Sequence, residues 1–122
     1  VVDRDPRDVF LDAKNYNAYP ITKDIESFIS FYESSRTINT PVNDDSTLLI
    51  RFEDLIYDYD SVTTKILAFL KIDSLSQSKK YSRFDPNVSI KNTQTWLKDE
   101  NKEYAQEMII LKDRLKPWCY DF

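Results

Sequence analysis

Not one of the 122 residues is glycine. Loops that cradle phosphate with backbone N–H groups need positive φ and no Cβ in the way, which is what glycine supplies. A P-loop and a dinucleotide fingerprint are therefore both excluded from this chain. Any phosphate it binds must be held by side chains and helix ends. Histidine is also absent and there is one cysteine, Cys119, so a zinc site is not expected and His-dependent catalysis is excluded within these residues. The net charge of −4 argues against non-specific nucleic-acid binding, which needs a basic face, although a local basic pocket stays open.

The length suits one domain, and 41% hydrophobic with 14% aromatic residues is the balance of a folding chain. No apolar run is long enough to span a bilayer and no basic-then-apolar leader opens the sequence. With its single cysteine reading as a small core or surface residue, the chain is expected to be soluble, reduced and cytoplasmic.

Val1 and Val2 look like the exit of a buried strand, and the missing Met at position 1 fits truncation. Asp5 offers an N-cap carboxylate, Pro6 suits the first helical position, and Asp8 lies in the first turn, where the helix dipole favours an anion. A helix over about Pro6 to Asn17 follows. Thr22 is read as the cap of a second helix carrying Ile25, Phe28, Ile29 and Tyr32 at helical spacing. The stretch NTPVNDDST has turn chemistry. LLIRFEDL then reads as a buried parallel strand with Arg51, Glu53 and Asp54 as a charge cluster at its tip. Asp60 or Ser61 opens a third helix with Val62, Ile66, Phe69 and Leu70 facing the core. Asp73 to Lys80 is polar and loop-like. The stretch YSRFDPNVSIKNTQTWLK shows no helical or strand period. A last helix, about Asn101 to Lys116, buries Tyr104, Met108, Leu111 and Leu115, and Pro117 ends it.

This order predicts an α/β fold, a partial three-layer parallel sheet flanked by helices. Two strands do not make a stable sheet for these helices. The remaining strands are expected upstream, and residues 1–122 are expected to form one C-terminal portion of a larger domain.

Three stretches, in order, resemble the C-terminal half of a sulfotransferase that uses 3′-phosphoadenosine 5′-phosphosulfate (PAPS). VVDRDPRDVFLDAK resembles the family's strand-turn-helix segment that helps hold the cofactor's 3′-phosphate. LLIRFEDLIYDYDSVTTKILAFLKI resembles its Arg/Lys-Tyr/Phe-Glu-Asp-Leu strand and following helix. FDPNVSIKNTQTWLK resembles the late loop and Trp that close over the 3′-phosphate, and the ending WCYDF is similar to the family's tail. The SIKNTQTW form is most similar to bacterial members acting on cell-surface polysaccharides. The resemblance implies a P-loop-type sulfotransferase fold, PAPS as cofactor, and a hydroxyl-bearing acceptor of the carbohydrate class.

It also implies a cofactor site of Arg4, Asp12, Ser89, Lys91 and Trp96. Arg4, delivered to the C-terminal end of a strand, could make charge-assisted bonds to phosphate; its alternative is a salt bridge to Asp3, Asp5 or Asp8. Arg7 reads as a surface or structural charge, and Asp8 as paired with a neighbouring base or capping the turn. Lys91 and Ser89 could supply a cation and a hydroxyl, or Lys91 could be a solvated loop residue. Trp96 reads as a core anchor, or as packing on adenine or the loop. Asp12 departs from the family, which has Ser there. A carboxylate about 4 Å from one phosphate charge costs roughly 4 kcal/mol at an effective dielectric near 20. Either Asp12 points away, or a nearby base neutralises it, or the 3′-phosphate site is altered.

The family's phosphosulfate loop and general base would precede Val1, so the resemblance implies no catalytic residue among these 122 and an inactive isolated chain. Two rivals are a non-catalytic sulfotransferase-like binding module, which Asp12 and the lack of glycine favour, and a P-loop nucleotide-kinase fragment, which FEDL and SIKNTQTW disfavour. The tyrosines, Tyr57 and Tyr59 among them, are read as packing residues rather than a carbohydrate platform.

Overall fold

A computed structural model describes residues 1–38, 45–73 and 79–120. Its elements are β1 (Val2–Asp3), α1 (Pro6–Asn15), α2 (Ile25–Ile38), β2 (Ile50–Arg51), α3 (Phe52–Tyr57), α4 (Tyr59–Leu70), α5 (Pro86–Ser89) and α6 (Ala105–Arg114), with 3₁₀ turns between α5 and α6 and after α6. The chain divides into two compact units. One comprises Val1–Asp3 and Pro41–Thr93, the other Arg4–Thr40 and Gln94–Phe122.

The second unit holds the main apolar core. Phe10 and Leu11 of α1, Phe28, Ile29 and Tyr32 of α2, and Met108 and Leu111 of α6 with the following Leu115 form one buried cluster. The i, i+3, i+4 spacing puts one apolar stripe on each helix, and burying such a side chain is worth about 1.5–3 kcal/mol. Phe10 meets Phe28 edge-on with ring centroids 5.1 Å apart, the geometry that ring quadrupoles favour. Helix α1 starts as its sequence says: Asp5 is the N-cap, its carboxylate accepting from the Arg7 N–H, and Pro6 follows. Helix α2 begins later than Thr22. Asp24 takes the Ser27 N–H instead, at 2.8 Å, and Thr22 is buried with its carbonyl accepting from the Lys14 ammonium.

The first unit departs further from expectation. Its parallel ribbon pairs Val2 with Ile50 and Asp3 with Arg51, and each strand is two residues long. The predicted three-layer α/β sheet is not what the described residues form. They are mostly helical, with this one two-stranded ribbon. The physical reason lies in LLIRFEDL: pairing stops at Arg51, and Phe52 to Tyr57 turns into helix, with Glu53 and Asp54 in its first turn where the dipole welcomes them. Glu53 is thus a buried helical residue at 1% exposure rather than part of a strand-tip cluster.

Helix α4 begins at Tyr59, and the expectation that Val62, Ile66, Phe69 and Leu70 reach a core is also corrected. No α4 residue is buried, and Leu70 is 54% exposed. The aperiodic stretch beginning at Tyr81 is helical in pieces. Asp85 caps α5 through the Asn87 N–H at 2.9 Å, with Pro86 at the first helical position, the same Asp-Pro device that opens α1. The last helix is 3₁₀ from Asp99 to Tyr104 and α from Ala105 to Arg114, and it buries Met108 and Leu111 as expected. The turn stretch NTPVNDDST and the loop after Asp73 lie largely outside the described residues, as do the last two residues of WCYDF.

The missing glycines leave a trace in the backbone. Asn17, Lys71, Tyr81 and Gln94 all sit at positive φ, between 50 and 65°. Lys71 ends α4 in the left-handed conformation, with its N–H on Ala68 and the Ile72 N–H reaching back to Leu67. That is the double hydrogen-bond pattern in which glycine normally stands. A residue with a Cβ costs about 1–2 kcal/mol there. No described helix is long and apolar enough to cross a membrane.

Candidate functional site

The RDPRD stretch places four charges within five residues, and the structure gives them different tasks. Asp5 is completely buried. Its carboxylate accepts from the Arg7 Nε (2.9 Å) and Nη2 (2.7 Å), from the Arg7 N–H, and from the Tyr120 N–H at 2.8 Å. Arg7 returns a bond to the Tyr120 carbonyl at 2.9 Å and lays its guanidinium over the Trp96 ring, 3.8 Å from the centroid. A paired, planar, stacked guanidinium is well suited to such a place, because its fork satisfies the carboxylate while its face covers an aromatic. Arg7 is structural as expected but not a surface charge, being 6% exposed.

Asp8 is the second buried carboxylate. It accepts from the Gln94 N–H at 3.0 Å, the Thr95 N–H at 2.8 Å and the Thr95 hydroxyl. It therefore neither pairs with a base nor caps its own helix; it caps the 3₁₀ turn Thr95–Leu97, far away in sequence. Burial pushes the Asp8 carboxyl above its ordinary range, opposed by the Thr95 hydrogen bonds and by the Arg4 charge. Asn101 completes the turn by donating its side-chain amide to the Thr95 carbonyl at 2.9 Å.

Arg4 is what remains of the stretch. It stands where β1 ends and the Asp5-capped helix begins, with its side chain 19% exposed. Its Nη1 donates to the Asp12 carboxylate, whose side chain is 40% exposed. Asp12 is thus a partner beyond the expected Asp3, Asp5 or Asp8, and of the three fates open to Asp12 the contact selects neutralisation by a nearby base. That base is the one assigned to phosphate. The Arg4 carbonyl accepts from the Tyr32 hydroxyl at 3.2 Å, and Arg36 donates to that same hydroxyl at 2.7 Å.

The remaining predicted residues are divided between the two units. Ser89 ends α5 partly buried, and Lys91 is exposed in the 3₁₀ turn Ile90–Asn92; both belong to the first unit. Arg4, Asp12 and Trp96 belong to the second. Trp96 packs partly buried on the second unit's core beneath Arg7, the core-anchor alternative. Of the five, the structure joins Arg4 to Asp12 directly. Thr93, the last residue of the first unit, is held there by Tyr57, hydroxyl to hydroxyl at 2.9 Å. Cys119 is half-buried with its thiol toward the Leu111 carbonyl at 3.8 Å, a packing role. Among the described residues, no group of three or more Cys, Asp or Glu side chains could hold a metal ion.

Sequence reasoning missed Asp8 and Arg7 as long-range anchors. The available signal was density: two carboxylates and a guanidinium in the first turn of a helix that must also bury Phe10 and Leu11 have to find partners inside. No protein-family model, curated protein or solved structure matches this chain.

Proposed function

We propose that this chain is the cofactor-binding part of a PAPS-dependent sulfotransferase, contributing Arg4 to the 3′-phosphate site of a longer, cytoplasmic protein whose acceptor is a saccharide hydroxyl. The observation that carries the proposal is the placement of Arg4. Within RDPRD, Asp5, Arg7 and Asp8 make buried contacts, and the Arg4 side chain, 19% exposed and paired with Asp12, stands where β1 ends and the helix starts. The order of the three family-like stretches supports the same reading.

Bound PAPS would supply the activated sulfuryl group. Arg4 would hold the 3′-phosphate, a dianion well matched to a guanidinium. Trp96 would act through packing, by fixing the turn that Asp8 holds. None of these groups makes or breaks a bond; they lower the entropy of orienting the cofactor for in-line displacement.

The Arg4–Asp12 contact favours a second reading, a sulfotransferase-like module that binds without catalysing. Calorimetric titration of 3′-phosphoadenosine 5′-phosphate into the intact protein separates the two from a chain with no such site. Micromolar binding lost in Arg4→Ala supports the cofactor site. Binding indifferent to Arg4→Ala refutes it. Sulfuryl transfer by the same protein then tells enzyme from binding module.

A further inference from the structure

We infer that Asp12 is an internal anion that competes with the ligand for Arg4, so that the carboxylate must leave the guanidinium, or share it, before a phosphate is bound. This rests on the function proposed above and adds regulation of that site. Asp12 lies two turns along α1 from Arg4, and its carboxylate reaches back to the Arg4 Nη1. The pair is neither deeply buried nor open, at 19% and 40% side-chain exposure. Burial on the Arg4 side keeps the attraction strong, and exposure on the Asp12 side lets water receive the carboxylate when it swings out. Asp5 and Asp8 offer no such exchange, because each is locked by hydrogen bonds from other segments.

Two consequences separate competition from mere support. An anion arriving at Arg4 must exceed what Asp12 already provides, so a doubly charged phosphate monoester gains where a singly charged group gains little. Removing the Asp12 charge must also tighten binding through Arg4 and not elsewhere. A supporting carboxylate does the opposite: it holds the guanidinium in place, and its loss weakens binding.

The test is a cycle of four intact proteins, the parent, Asp12→Asn, Arg4→Ala and the double variant, each titrated calorimetrically with 3′-phosphoadenosine 5′-phosphate and with adenosine 5′-phosphate. Circular dichroism checks folding, and Asp12→Ser stands in should Asp12→Asn not fold. The expected result is at least about a tenfold tighter affinity for the 3′-phosphorylated nucleotide in Asp12→Asn, no change for adenosine 5′-phosphate, and a smaller gain when Arg4 is already alanine. Equal or weaker binding by Asp12→Asn, with Arg4→Ala still harmful, overturns the competition and leaves the cofactor site standing. Affinity untouched by Arg4→Ala, or no binding by any of the four, removes the cofactor site and the competition with it.

Discussion

Replacing Asp8 by alanine is the sharpest test of how this chain holds its late segments to its first helix. The carboxylate is fully buried and accepts three hydrogen bonds, two from the backbone N–H groups of Gln94 and Thr95 and one from the Thr95 hydroxyl. Truncation leaves those donors facing a small apolar gap. A buried donor without a partner costs about 1–3 kcal/mol. Thr95 can recover one bond by rotating its hydroxyl, and relief of the buried charge returns part of the loss, so the net destabilisation is about 3 kcal/mol. Against a typical domain stability of about 5–15 kcal/mol that is a large share. Urea denaturation followed by far-UV circular dichroism measures it, and hydrogen exchange should show the Gln94 and Thr95 amides losing protection first. A loss under about 1 kcal/mol, or unchanged protection at those two amides, would refute the claim that Asp8 anchors the turn.

Four further outcomes are expected. Because the folded Asp8 carboxyl is raised, its titration stabilises the fold most at acid pH and the contribution is lost as pH rises through the raised value; the stability difference between parent and Asp8→Asn should therefore shrink with rising pH, read from denaturation curves at several pH values. Lys71→Gly should stabilise by about 0.5–1 kcal/mol, the relief of the left-handed helix end less the added unfolded-state freedom, and a fall in melting temperature would contradict that account. Phe28→Ala, at 0% exposure in the centre of the core, should cost about 3–5 kcal/mol in the same denaturation assay. Asp60→Asn, which breaks an exposed pair with Lys80, should leave the denaturation midpoint where it was.

How much was legible in advance varies with the range of the interaction. The Asp-Pro start of α1, the apolar stripes of α1, α2 and α6, and the core residues Phe10, Phe28, Leu111 and Leu115 follow from local pattern and appear where expected. The Asp-Pro start of α5 was equally local but hidden in a stretch without period. The parallel-strand reading of LLIRFEDL held for Ile50 and Arg51 and failed from Phe52 on, because a run of apolar residues with a charged end suits a strand and a helix start alike, and only the partner available to it decides. Arg4 was singled out from sequence, whereas its counter-ion was not, since nothing in the spacing says which of several carboxylates wins.

The sequence by itself determined where α1, α2 and α6 carry their apolar faces, because that depends on residue type and on a period of a few positions. Tertiary structure alone decided that Asp8 holds Thr95, that Arg7 joins Asp5, Tyr120 and Trp96, and that Asp12 takes Arg4. Buried charges must find partners wherever the packed core brings them, and that choice is made across distances along the chain on which local pattern is silent.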